Sequence, residues 1–149
     1  MAHEFVQAHQ QLGPRLIDSQ KVALQSWADE YRGELGIALS DTMGFDKFLK
    51  DFDRFFSLLF DGCRQDSGNP VQWADKLIAH YKGMRIDPRY KTAIFSDGLT
   101  FKTAVDLFNR FHRQISTSFG IGTYLTNDCG FIAPQIVIKM VECNWKPVA

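Results

Sequence analysis

Three aspartates and one arginine stand where strand-like segments give way to turns. They are Asp41 in Ser40-Asp41, Arg64 and Asp66 in Arg64-Gln65-Asp66-Ser67-Gly68, and Asp97 in Ser96-Asp97-Gly98. A fourth junction, Phe119-Gly120-Ile121-Gly122-Thr123, is rich in glycine instead. Carboxylates accept hydrogen bonds from sugar hydroxyls and hold Mg²⁺, a hard cation that prefers oxygen. Gly120 and Gly122 lack a Cβ, so backbone N–H groups there can approach a phosphate closely. Together these residues suit a polyhydroxylated, phosphorylated ligand. The glycine segment does not match Gly-x-x-x-x-Gly-Lys-Ser/Thr, and Leu125 stands where Gly-x-Gly-x-x-Gly needs its third glycine.

The elements that must position these residues follow from periodicity. The first 32 residues read as helical, with Ala23, Trp27 and Tyr31 four apart and Gly33 and Gly36 as breakers. Gly36–Leu39 reads as a short buried strand. Phe45, Phe48, Leu49, Phe52, Phe55, Phe56 and Leu59 form one apolar helical stripe. A strand around Cys63 precedes Asn69-Pro70, which caps a helix with Trp73, Leu77, Ile78 and Tyr81 on one face. A strand at Lys91–Phe95, a helix bearing Phe101, Val105, Phe108 and Phe111, and a strand at Ile115–Ser118 come next. Gln135–Val141 reads as a fifth strand. This alternation predicts an α/β fold of parallel strands with crossover helices, and ligands of such sheets gather at the carboxyl edge.

Composition bounds the rest. The chain has 149 residues, 45% hydrophobic and 23% charged, with 17 Lys+Arg against 17 Asp+Glu. That is globular, and its zero net charge argues against coating nucleic acid or an anionic membrane. The length is short of a complete (βα)₈ barrel, which needs at least about 200 residues. Cys63, Cys129 and Cys143 are odd in number and widely spaced, which supports neither a disulfide framework nor a zinc ribbon. No basic segment followed by an apolar core opens the chain, so a soluble cytoplasmic protein is expected.

Each candidate has an ordinary alternative. An Asp after a strand can simply cap the next helix, which applies to Asp41 and Asp97, and Arg64 can be one half of a surface ion pair. His80 and His112 read as solvated and His9 as structural. His3 carries no signal by itself, and Glu4 points about 100° away from it on a helix.

At these residues the sequence resembles the central part of the bacterial nicotinate phosphoribosyltransferase family. The resemblance rests on Met1-Ala2-His3-Glu4 with Gln7-Ala8-His9-Gln10-Gln11, Gly36–Asp41, Phe48–Phe52, Arg64–Pro70, Phe95-Ser96-Asp97, Ser118–Thr123 and Ile136–Asn144. It implies that residues 1–149 are about half of an irregular, TIM-like phosphoribosyltransferase barrel, with Met1 internal to a longer chain and the isolated segment inactive. It also implies a reaction joining nicotinate to phosphoribosyl pyrophosphate, coupled to ATP hydrolysis in NAD salvage. His3 would be the phosphorylated histidine, with Asp41 and Asp97 catalytic. Arg64, Asp66, Ser67, Gly120, Gly122 and Thr123 would bind substrate, and Mg²⁺ would enter with the substrate phosphates. The full-length enzyme is open to forming a homodimer.

Three departures from the family pattern stand out. Asn69 replaces an Asp, which blurs the assignment towards nicotinamide-using relatives. Trp145 replaces a glycine and would strain any turn requiring positive φ. The join Ala133-Pro134-Gln135-Ile136 is one residue short, which could shift strand register. Two other functions compete: a non-catalytic phosphosugar-binding module, and a flavodoxin-like domain phosphorylated on aspartate.

Overall fold

A computed structural model of the chain describes every residue except Pro14, Ala133, Gln135 and Ala149. Two helices open it, α1 (His3–Leu12) and α2 (Ser19–Tyr31), so the expected helical start is interrupted after Gly13. They pack together, with the Phe5 ring of α1 edge-on to Trp27 of α2 at 5.3 Å, and Val6, Ala23, Leu24 and Ala28 are buried. The alternation then begins with β1 (Ile37–Leu39), α3 (Phe45–Asp51), α4 (Arg54–Leu59) and β2 (Gly62–Gln65). It continues through α5 (Pro70–Gly83), β3 (Thr92–Phe95), α6 (Phe101–Phe111) and β4 (Ser116–Phe119).

The four strands are parallel and lie in the order β1-β2-β3-β4. A doubly wound open sheet reverses its strand order at a switch point, whereas an arc of a barrel proceeds around in sequence. The order here is sequential. Ala38, Cys63, Ala93 and Phe95 turn to one face of the sheet and are buried with Phe48, Phe52, Leu77, Tyr81 and Phe111. Each buried aromatic or aliphatic side chain of this size contributes roughly 1.5–3 kcal/mol. Gly62 lets β2 and β3 approach, because a Cβ there would lie 1.9 Å from the Thr92 carbonyl oxygen.

Four sequence expectations need correction. The stripe from Phe45 to Leu59 is two helices, because the Asp53 carboxylate accepts from the Phe55 and Phe56 amides and starts α4 afresh. On α6, Ala104, Leu107 and Phe111 face the core, whereas Phe101, Val105 and Phe108 form an exposed flank about 100° away. The exposed residues sit at apolar spacing but off the core face. Ile136–Val141 forms no strand: it is paired in neither sheet among the described residues, although the Val141 carbonyl accepts from the Val148 amide, and Ile138 is 90% exposed. Gln135, at the start of that expected strand, lies outside the described residues, as does part of the shortened join at Ala133–Ile136. His80, expected to be solvated, is half-buried, with Nε2 2.7 Å from the Phe52 carbonyl oxygen and 3.3 Å from Ser57 Oγ.

After β4 come a short helix, α7 (Thr123–Thr126), and a small antiparallel hairpin of β5 (Glu142–Cys143) and β6 (Lys146–Pro147). Asn144 and Trp145 form its turn with φ of 52° and 59°, both left-handed. Among the described residues no helix is long and apolar enough to cross a membrane.

Candidate functional site

The carboxyl ends of β1 and β2 meet the first turn of α1, and there the charged residues converge. His3 Nε2 lies 3.1 Å from Asp41 Oδ1, and His3 Nδ1 lies 3.8 Å from Asp66 Oδ2. The other Asp41 oxygen accepts from Ser67 Oγ at 2.7 Å. Asp66 Oδ2 also accepts from the Arg64 guanidinium at 2.9 Å, while Ser96 Oγ donates to Asp66 Oδ1 at 2.8 Å. Five of the residues expected from sequence (His3, Asp41, Arg64, Asp66 and Ser67) thus form one connected group. The helix capping that would have explained Asp41 and Asp97 is absent: Gly44 stands at the start of α3, and Thr100 caps α6. Arg64 belongs to this group, with its Nε buried and without a hydrogen-bond partner among the described residues.

The loop after β2 is built to be rigid. Gln65 is 1% exposed, and its Nε2 donates to the carbonyls of Ser67 and Gly68 at 3.0 and 3.2 Å. Asn69 accepts from the Val71 and Gln72 amides, with Pro70 opening α5. An Asp at that position would cap equally well, so the Asn69 departure leaves the local structure intact. Ser40, wholly buried, donates from Oγ to the Arg64 carbonyl at 2.7 Å and accepts from Trp73 Nε1 at 2.9 Å. Sequence reasoning gave no role to Gln65, Ser40 or Ser96. The signal available was the repeated Ser-Asp pair at the ends of β1 and β3.

The other expected site residues lie to one side. Asp97 is exposed, with no side-chain hydrogen bond or ion pair among the described residues. Gly120, Gly122 and Thr123 line a cleft of about 600 Å³ together with Ser96 and Gly98. Gly122 precedes α7, and its carbonyl accepts from the Leu125 and Thr126 amides at 2.9 and 3.1 Å. A Cβ on Gly120 would lie 3.2 Å from that of Ser96, so this glycine also answers to packing. Ser96 connects the two halves, lining the cleft while bonding Asp66.

The remaining titratable groups near the sheet are structural. Burial pushes the Cys63 thiol up to about 12, although Tyr81 and Lys91 pull the other way, so it is no nucleophile near neutrality. Burial lowers Lys91, whose Nζ donates to the carbonyls of Leu58 and Phe60 at the end of α4. His9 joins α1 to α2, with Nδ1 2.7 Å from the Phe5 carbonyl oxygen and Nε2 3.2 Å from Ser26 Oγ. His112 is exposed, as expected.

Comparison with known proteins gives one consistent result. The chain is 60% identical over 149 residues to the nicotinate phosphoribosyltransferases of Ralstonia nicotianae and Cupriavidus necator. All of this chain is covered in each case, and it spans 38% of each relative's length. The crystal structure of nicotinate phosphoribosyltransferase from Vibrio cholerae superposes with a TM-score of 0.94 at 46% identity, covering 99% of this chain and 37% of that one. The enzyme from Porphyromonas gingivalis gives 0.81 at 38% identity, over 85% of this chain and 32% of the other. The model of the nicotinate phosphoribosyltransferase (NAPRTase) family matches residues 1–149, so the chain belongs to that family.

Proposed function

We propose that this chain supplies part of the active site of an enzyme that joins nicotinate to phosphoribosyl pyrophosphate. The products are nicotinate mononucleotide and pyrophosphate, and ATP hydrolysis is coupled through a phosphohistidine at His3. One observation carries the reading: a histidine held between two carboxylates, beside an arginine, at the carboxyl edge of a parallel sheet. The family membership and the names of the relatives support it.

The chemistry follows from the contacts. With its proton on Nε2 and donated to Asp41, the His3 ring presents the Nδ1 lone pair on the side of Asp66 and Arg64. Attack by Nδ1 on the γ-phosphorus of ATP forms an N–P bond, breaks the P–O bond and releases ADP. Asp41 holds the imidazole proton and offsets the positive charge that develops on the ring. The Arg64 guanidinium, aligned by Asp66, is suited to a phosphate oxygen. In the second reaction the nicotinate nitrogen displaces pyrophosphate from the anomeric carbon through a cationic state, which Asp41 and Asp97 stabilise electrostatically. Gly122 and Thr123 present backbone amides to the 5′-phosphate, while Gly120, whose own N–H is taken by the Phe95 carbonyl, leaves room for it.

Magnesium fits as a companion of the substrate phosphates, since it is commonly held by one or two carboxylates plus phosphate oxygens. No group of three metal ligands is assembled among the described residues, and the Asp41 and Asp66 oxygens are engaged by side chains, so Asp97 is the carboxylate that could join the substrate phosphates around the ion. Bound there, the ion would neutralise charge on the leaving pyrophosphate.

The test uses the Ralstonia nicotianae relative with its matching segment replaced by this chain. ATP labelled at the γ-phosphate is expected to place acid-labile label on His3, and His3→Asn is expected to abolish it. Nicotinate mononucleotide should form in the chimera and not with the 149-residue segment alone. Label on Asp41 or Asp66, or nucleotide synthesis by the segment alone, would contradict the proposal. Size-exclusion chromatography of the same chimera tests the homodimer.

A further inference from the structure

Ser96 has a different place in the fold from its counterpart at the end of β1. Its backbone N–H continues the ladder to the Gln65 carbonyl at 3.0 Å. Its hydroxyl lies 2.9 Å from that same carbonyl oxygen and 2.8 Å from Asp66 Oδ1. A hydroxyl has one proton, and the ionised carboxylate is the stronger acceptor. The other Asp66 oxygen is engaged by Arg64 at 2.9 Å and faces His3 Nδ1 at 3.8 Å. Both carboxylate oxygens are therefore tied down, one from β3 and one from β2.

Gly120 at the end of β4 completes the arrangement. It donates its N–H to the Phe95 carbonyl at 2.8 Å and passes so close that an added Cβ would sit 3.2 Å from the Ser96 Cβ. A side chain at position 120 would press on Ser96 and shift its hydroxyl. Ser40 makes the comparison plain: it also precedes an aspartate and also bonds the end of β2, but it reaches only a backbone carbonyl and the Trp73 indole.

We propose that Ser96 is a positioning residue: it fixes the Asp66 carboxylate, and through it the Arg64 guanidinium and the environment of His3 Nδ1, with Gly120 leaving the space it needs. Asp66 is the sole ion-pair partner of Arg64 among the described residues, so a carboxylate free to rotate takes the guanidinium with it. The Arg64 Nε, buried without a hydrogen-bond partner among the described residues, offers no second anchor. This role rests on the phosphoribosyl-transfer reading above, and its test separates the two.

In the Ralstonia nicotianae chimera, Ser96→Ala and the nearly isosteric Ser96→Cys are each expected to lower kcat about ten-fold, matching the loss of one charge-assisted hydrogen bond. KM for nicotinate should not change. Ser96→Thr keeps the hydroxyl and should stay within about two-fold of the parent. Crystal structures of the Ala and Cys variants should show the Asp66 carboxylate turned away and its separation from Arg64 beyond 4 Å. An Asp66 that holds its place in both variants, or an unchanged kcat, overturns the positioning role. A parent chimera that makes no nicotinate mononucleotide refutes the reaction instead, and the position of Asp66 in the variant crystals then decides the role of Ser96 alone.

Discussion

Replacing Trp145 with glycine should strengthen the β5–β6 hairpin by about 1 kcal/mol. Trp145 has a φ of 59°, and a left-handed conformation costs an L-residue with a Cβ roughly 1–2 kcal/mol. Glycine removes that strain and gives back up to about 1 kcal/mol through its greater freedom in the unfolded chain. The indole is 92% exposed, so its removal forfeits almost no buried area. The Val148 amide reports on the hairpin, since it donates to the Val141 carbonyl at 3.1 Å just beyond the paired residues. A gain of about 1 kcal/mol slows its hydrogen exchange about five-fold. Trp145→Ala is the control, because it deletes the ring and leaves the backbone strain. Equal slowing in the alanine and glycine variants would show that the ring, and not the φ angle, was the burden. No slowing with glycine would refute the strain argument outright.

Two further outcomes follow from buried groups. Ser40→Ala should destabilise the chain by about 1–3 kcal/mol in urea unfolding, because it leaves the buried Trp73 N–H without its acceptor and removes a bond to the Arg64 carbonyl. The thiols should react with Ellman's reagent in order of exposure: Cys129 first, Cys143 more slowly and Cys63 only on unfolding. The Cys63 thiol rises from about 9 in the unfolded chain to about 12 when folded, so its contribution is intact below pH 9 and fades as pH climbs towards 12. Between pH 9 and 10 this amounts to roughly 1 kcal/mol, a loss that Cys63→Val should largely remove from the measured pH dependence.

Local chemistry made much of this protein legible from its sequence. Asn69-Pro70 and the spacing of Trp73, Leu77, Ile78 and Tyr81 specify α5 without reference to anything distant, and the cap bonds are present. The strand ends at Asp41, Asp66 and Gly120 could be placed because short apolar runs end at polar or glycine turns. The Trp145 strain was readable for the same reason, since a turn needing positive φ penalises any side chain wherever it sits. Periodicity misled where the environment set the outcome. Phe101, Val105 and Phe108 have helical spacing, but only the packing of α6 against the sheet decides that Ala104, Leu107 and Phe111 are the residues buried. Ile136–Val141 has strand composition, but a strand exists only where another backbone supplies its hydrogen bonds.

The site divides along the same line. Residue types and their order brought His3, Asp41, Arg64, Asp66 and the glycine segment into view through a family resemblance, because motif chemistry is written in short stretches of chain. The sequence by itself determined the alternation, the parallel sheet and the gathering of charge at its carboxyl edge. Only the tertiary structure decided that His3 reaches Asp41, 38 positions away, that Ser96 rather than Ser40 holds a carboxylate, and that Asp97 is exposed. Contacts of that kind depend on strand register and on the few ångströms between neighbouring strand ends, which sequence spacing does not encode.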